Sequence, residues 1–270
     1  MHHRETVNGY LSRIAKAAVV RKKTKSDIER SIKILSSRIE EYFGHEVIEP
    51  FTFGSYSRKT MLPRFMDSQS DVDVMVVFKN QDSTPQTYLN RLKRFTAGYY
   101  GRHEILQSHP TIMLELNHIK FDLVPALECG ERSILIPAKT TSLDNWMETD
   151  PHVFKEQCIE KNQIHEQQIL PFVRLMKYWN AVYGRPFSSF ELEEAIIETG
   201  YRSLLSRWFG NKWSLFSYAH RFAEAYEPST NRQADALSQF RSALDKTNEL
   251  GKNDNVAAAV QSLKHYLPLP

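Results

Sequence analysis

The 270-residue sequence lacks the features that mark most special classes of protein. Its 2 cysteines, Cys129 and Cys158, are too few for a disulfide framework. Its apolar runs are short. Val74-Met75-Val76-Val77-Phe78 is typical and cannot span a bilayer. Residues 1–5 have no apolar core of the signal-peptide kind. The expected location is therefore the cytoplasm, without a membrane partner. No dominant charge is present either: 35 Lys and Arg stand against 32 Asp and Glu, a net of +3. That balance argues against a bulk nucleic-acid surface. There is no Gly-x-x-x-x-Gly-Lys-Ser/Thr loop, no Cys-x-x-Cys pair, no His-Glu-x-x-His and no Gly-x-Ser-x-Gly.

What is present is an ordinary globular composition, 41% apolar and 25% charged, with enough chain for one large or two small domains. Residues 1–45 read as a helical brace. Val7, Tyr10, Leu11, Ile14 and Ala18 make one stripe at spacings of three and four, and Ile28, Ile32, Leu35, Ile39 and Phe43 make another. Ser26, with Glu29 three residues on, fits an N-cap, and Gly44 fits a helix end. Between the stripes, Arg21, Lys22, Lys23 and Lys25 read as a solvated basic turn, with phosphate contact as the alternative.

From residue 46 the period changes to two. Val47, Phe51 and Phe53 alternate, residues 71–78 form a valine-rich strand, and a helix is expected over 87–100. Runs at 111–116 and 119–124, separated by Asn117-His118, have hairpin spacing. Residues 46–136 thus predict a mixed sheet with helices, an α+β class. Residues 137–151 read as a polar connector. Residues 152–270 read as a helical lobe, with Phe172, Met176, Trp179 and Tyr183 as a core stripe rather than a base-stacking platform. His103, His109 and His118 read as surface or loop residues. Tyr56 and Trp146 are candidates for stacking on a nucleobase.

The chemistry concentrates in Phe53-Gly54-Ser55-Tyr56-Ser57-Arg58 and Ser70-Asp71-Val72-Asp73-Val74. Residues two apart on a strand share a face, so Asp71 and Asp73 project side by side. Two carboxylates on an apolar strand repel, and burial disfavours both charges. A hard divalent cation removes that cost. Asp122, in Phe121-Asp122-Leu123-Val124, supplies a third carboxylate on a later apolar strand. Three such groups could hold two Mg²⁺ (or Mn²⁺) ions about 3.5–4 Å apart, one for an attacking hydroxyl and one for a triphosphate. Gly54 lets the backbone approach a phosphate, and Ser55 can hold its oxygens.

This arrangement resembles the DNA polymerase β-like nucleotidyltransferase superfamily, whose motif is a Gly-Ser, an Asp-x-Asp and a later Asp. Within it the chain looks most like the bacterial cyclic-oligonucleotide synthases with a SMODS-type domain (CD-NTases), relatives of oligoadenylate synthase and cyclic GMP-AMP synthase. The likeness runs by motif from Gly54 to Asp122. It continues by pattern through residues 146–151 and the helix around Val173-Arg174-Leu175-Met176-Lys177 to residues 188–193. The resemblance implies a polymerase β-like mixed sheet and a helical lobe that closes a cleft. It implies Asp71, Asp73 and Asp122 as catalytic metal ligands. Gly54, Ser55, Lys177 and Ser188 or Ser189 would bind nucleotide, the two serines doubling as cap candidates for the next helix. It further implies NTP substrates, a cyclic di- or oligonucleotide product of CBASS-type antiviral signalling, an effector that binds the product, and a monomeric enzyme.

Two departures stand out. The family often has Arg-Gly-Thr where this chain has Arg58-Lys59-Thr60, so the loop is expected to be shaped differently, because lysine resists positive φ. The spacer from Ser55 to Asp71 is also longer than usual. Rival readings share the same triad: a CCA-adding-like enzyme acting on RNA, an AMP-transferring toxin acting on protein, or a non-catalytic nucleotide-sensing module.

Overall fold

A computed structural model of the protein describes residues 5–79, 83–101, 104–108, 110–130, 133–138, 145–201 and 214–270. His2, His3, His103, His109 and residues 139–144 of the connector lie outside the described residues. The described chain divides into two compact units. One comprises Val20–Met61 and Gln69–Gln157. The other comprises the chain up to Val19, the strap Leu62–Ser68, and everything from Cys158 onward. Residues 1–45 are thereby divided between the two.

The first unit is built on a seven-stranded sheet. Its elements in chain order are α2 (Lys22–Phe43), a 3-10 turn (Gly44–Glu46), β1 (Phe51–Phe53), α3 (Gly54–Ser57), β2 (Asp71–Phe78), α4 (Pro85–Tyr100), β3 (Glu104–Ser108), β4 (Thr111–Glu115), β5 (Lys120–Cys129), β6 (Ser133–Pro137) and β7 (Trp146–Thr149). The strand order is β1-β2-β5-β4-β3, with β6 pairing β5 and β7. Only β2 and β5 run parallel; the other pairings are antiparallel. The expected 111–124 hairpin forms, with Ile112 opposite Leu123 and Glu115 opposite Lys120.

Alternation along the strands makes two faces. Val72, Val74, Val76 and Phe78 of β2 and Phe121 and Leu123 of β5 join the main core, together with Ile28, Leu35, Ile39 and Phe43 of α2 and Leu89, Leu92 and Phe95 of α4. The opposite face carries a smaller cluster of Met75, Val77, Val124, Ala126 and Ile134. Asp71, Asp73, Lys120 and Asp122 continue that second face toward one end of the central strands, because residues two apart share a face.

Two sequence expectations are corrected in this unit. Helix α2 begins at Lys22, so Ser26 lies inside it rather than at its cap. The basic residues form the first turn and not a loop. Lys and Arg are good helix formers, and Lys25 meets Glu29 at 3.6 Å one turn on. The segment read as a connector also contains β7, which pairs with β6 from Ile134–Thr149 to Pro137–Trp146. Polar composition had hidden a solvent-facing edge strand.

The second unit is helical: α1 (Val7–Ala17), the second half of α5 (Pro151–Ile164, which begins in the sheet unit), α6 (Ile169–Val182), α7 (Ser189–Glu198), α8 (Leu215–Ala225), α9 (Asn231–Lys252) and α10 (Val256–Lys264). Its core holds Phe172, Trp179, Phe222 and Phe240, all fully buried, and the Trp179 and Phe240 rings lie 4.7 Å apart. The aromatic stripe of α6 is core, as its spacing suggested. Tyr10 of α1 donates to the carbonyl of Leu267 at 2.6 Å, which ties the two chain ends within this unit. Among the described residues no helix is long and apolar enough to cross a membrane.

Candidate active site

The site is laid out by strand register. Asp73 pairs directly with Asp122 across the parallel β2–β5 ladder, and Asp71 pairs with Lys120. Paired residues on neighbouring strands point to the same side, about 4.8 Å apart. On the outer side of β2, Phe53 pairs with Asp73; on the far side of β5, Met113 pairs with Asp122. Two like charges therefore stand side by side in an apolar row.

Gly54 closes the row from above. It has φ +64, which favours glycine, and a Cβ built on it would lie 1.8 Å from Asp73 Oδ2. Both the backbone conformation and the packing demand glycine. Beyond it the short helix α3 is wound tightly around the Ser55 carbonyl. That oxygen accepts from the Thr60 amide at 2.9 Å, the Met61 amide at 3.1 Å and the Thr60 hydroxyl at 3.3 Å. These bonds leave the Ser55 hydroxyl out of the network. Lys59 adopts φ +62, so the loop keeps a left-handed residue where glycine was expected to be needed. Its side chain is exposed, and its amide donates to the Tyr56 carbonyl at 3.1 Å. Arg58 lies over the Phe154 ring at 5.0 Å.

Burial and neighbouring charge act together on Asp122. Burial raises its carboxyl above the ordinary range, while the Lys120 charge and a hydrogen bond from Thr111 pull it back down. Its Oδ1 is buried and has no hydrogen-bond partner. A buried carboxylate oxygen left in that state is costly, and a cation would relieve it. The donor set is all oxygen, which suits a hard divalent ion. Among the described residues, however, no three His, Cys, Asp or Glu side chains converge closely enough to hold an ion by themselves.

The remaining expected residues lie in the helical unit. Lys177 is buried at 5% exposure and faces Glu193, 1% exposed, at 3.8 Å. Ser188 caps α7, its hydroxyl accepting from the Glu191 amide at 3.2 Å, and Ser189 is the first residue of that helix. The turn before them is fixed by Asn180, whose side chain both donates to the Phe187 carbonyl (3.0 Å) and accepts from its amide (3.1 Å). Tyr56 and Trp146 pack, partly buried, against the main core, with Trp146 5.8 Å from the Tyr88 ring. Sequence reasoning missed Lys120 and Thr111. Lys120 was legible by period: it precedes Asp122 by two on the same strand face. Thr111 reaches Asp122 only through the fold.

A sheet that carries a glycine-backed carboxylate row invites comparison with known proteins. The family described as Second Messenger Oligonucleotide or Dinucleotide Synthetase domain (SMODS) matches residues 6–162. The chain belongs to this family. A probable cyclic nucleotide synthase of Bacillus cereus is 26% identical over 205 residues, covering 62% of this chain and 59% of that protein. A cyclic AMP-AMP-AMP synthase of an Acinetobacter species is 23% identical over 147 residues, covering 53% of this chain and 42% of that protein. The chain thus spans about half the length of the curated relatives it matches. Among solved structures, Escherichia coli CdnC with ATP superposes with a TM-score of 0.72 at 15% identity, covering 99% of this chain and 98% of that one. At that identity the likeness shows the fold, and the fold is the mixed α+β class expected of the SMODS family.

Proposed function

We propose that this SMODS protein is a metal-dependent nucleotidyltransferase that joins NTPs into a cyclic di- or oligonucleotide. The observation that carries the reading is the in-register pair Asp73–Asp122, with Gly54 pressed against Asp73. In the proposed reaction a ribose hydroxyl attacks the α-phosphorus of an NTP. A new P–O bond forms, the bond to pyrophosphate breaks, and the hydroxyl proton is released. A second such step closes the ring.

Asp71, Asp73 and Asp122 are assigned the divalent ions, Mg²⁺ or Mn²⁺, two in number. When bound, they would supply charge neutralisation at the attacking and leaving oxygens. Since three protein carboxylates do not converge unaided, triphosphate oxygens would complete the coordination. Asp73 stays where Gly54 lets it lie, and the half-buried Ser55 offers its hydroxyl to a phosphate oxygen. Lys177, Ser188 and Ser189, carried by the helical residues 152–270, are assigned donor phosphates. Lys177 would have to exchange Glu193 for phosphate to do so. The protein is further proposed to act as a cytoplasmic monomer whose product, rather than the protein itself, engages a CBASS-type effector.

The test is incubation of the purified protein with all four NTPs and Mg²⁺ or Mn²⁺, phosphatase digestion, and mass spectrometry of the survivors. A phosphatase-resistant cyclic nucleotide is expected. Label entering RNA or protein instead, with no such product, would overturn the reading.

A further inference from the structure

One charged residue of the carboxylate face has the opposite sign. Lys120 is 8% exposed, so most of its side chain is covered, and its ammonium makes a part-buried contact. Three acids surround it by register and spacing. Asp71 is its partner across β2–β5, Glu115 its partner across β4–β5, and Asp122 lies two residues on along the same face. Its Nζ reaches Gln69 Oε1 at 3.4 Å, a long contact that anchors the head group without neutralising it. By register its charge lies among the carboxylates of neighbouring strands.

We infer that Lys120 is a built-in counter-ion of the aspartate row, a positioning residue that holds Asp71 and Asp122 before ions arrive and weakens divalent-ion binding until a nucleotide comes with them. The inference rests on the metal-dependent reading above. The physical argument is a balance of signs. Without ions, three aspartates on one face repel, and a single fixed cation among them reduces that repulsion. With ions present, the same cation is a like charge close to each of them and opposes their entry. An NTP brings negative charge of its own, so ions escorted by nucleotide meet less opposition than ions alone. Gating of this kind would keep the site from filling with metal in the absence of substrate.

The test is Mn²⁺ binding without nucleotide, read from the free-ion electron paramagnetic resonance signal, on the wild-type chain and on Lys120→Met, Lys120→Gln, Lys120→Arg and Asp122→Asn. Lys120→Met and Lys120→Gln are expected to bind Mn²⁺ roughly tenfold more tightly than wild type, and Lys120→Arg, which keeps the charge, to match it. The thermal midpoint of the neutral variants should be lower without ions and should gain more from added Mn²⁺. Lys120→Gln guards against a folding failure of Lys120→Met, because it keeps a polar group near Gln69. Unchanged or weaker Mn²⁺ affinity in a folded neutral variant overturns the inference. So does failure of both neutral variants to fold even with Mn²⁺, which would make Lys120 a packing residue. Asp122→Asn separates the two levels. If it binds Mn²⁺ as well as wild type, the metal reading falls. If it binds poorly while the neutral Lys120 variants match wild type, only the counter-ion role falls.

Discussion

On the sheet, Asp73 and Asp122 stand in register with the same sign of charge, and Asp122 keeps one buried oxygen without a hydrogen-bond partner. Among the helices, Lys177 and Glu193 stand 3.8 Å apart with opposite signs and are almost fully covered. Both regions take ionisable groups out of water, which is expensive. The helical pair supplies its own compensation. The carboxylate row sets one lysine against three aspartates and leaves one Asp122 oxygen without a partner, so its charges are less evenly matched. Removing one aspartate of the row should therefore weigh most on function, and removing one member of the helical pair most on stability.

The largest effect is expected at the row itself. Asp73→Asn or Asp122→Asn should cut formation of phosphatase-resistant nucleotide by roughly a thousandfold or more. Asp122→Asn should leave the metal-free thermal midpoint unchanged or raise it, since it deletes a charge that burial disfavours. A lower midpoint with activity intact would break the contrast.

Among the helices, Lys177→Met or Glu193→Leu alone should cost about 3–5 kcal/mol of stability in urea unfolding, because each leaves one buried charge behind. The double variant should return to within about 1 kcal/mol of wild type. A double variant no better than the singles would show that the pair is not the unit that matters.

Gly54→Ala tests how firmly the row is held. Its Cβ would enter the space of Asp73 Oδ2, so Asp73 must move. A stability loss of about 1–2 kcal/mol from the left-handed φ alone is expected. Turnover should fall on the order of a hundredfold from the misplaced carboxylate. The smallest effect belongs to Lys59→Gly. Relief of a left-handed lysine, offset by the greater freedom of glycine in the unfolded chain, should stabilise the protein by about 0.5 kcal/mol in the same urea assay.

Much of the sheet was legible because its central strands are strongly patterned. Period two and valine content marked β2, and the spacing around Asn117-His118 marked the β4–β5 hairpin. Edge strands were not legible. β3 has Ile105-Leu106 and β7 has Trp146-Met147, adjacent pairs too short to show the alternation that separates strand from loop. The start of α2 was misread because a run of lysines looks like a turn when judged by charge, yet lysine continues a helix readily. Lys59 was misread in the other direction: a rule about propensity yielded to a hydrogen-bonded loop that fixes its φ.

By itself the sequence determined which residue types could do chemistry and which of them shared a strand face, because side-chain alternation is local. It placed Asp71 with Asp73, and by the same rule Lys120 with Asp122. Which strand lay beside which was decided only by the tertiary structure. The parallel β2–β5 pairing sets Asp73 against Asp122, and the fold leaves the Asp122 oxygen without a partner and buries Lys177 against Glu193. The reason is physical: strand register and burial depend on contacts between residues far apart in the chain, and no local pattern records them.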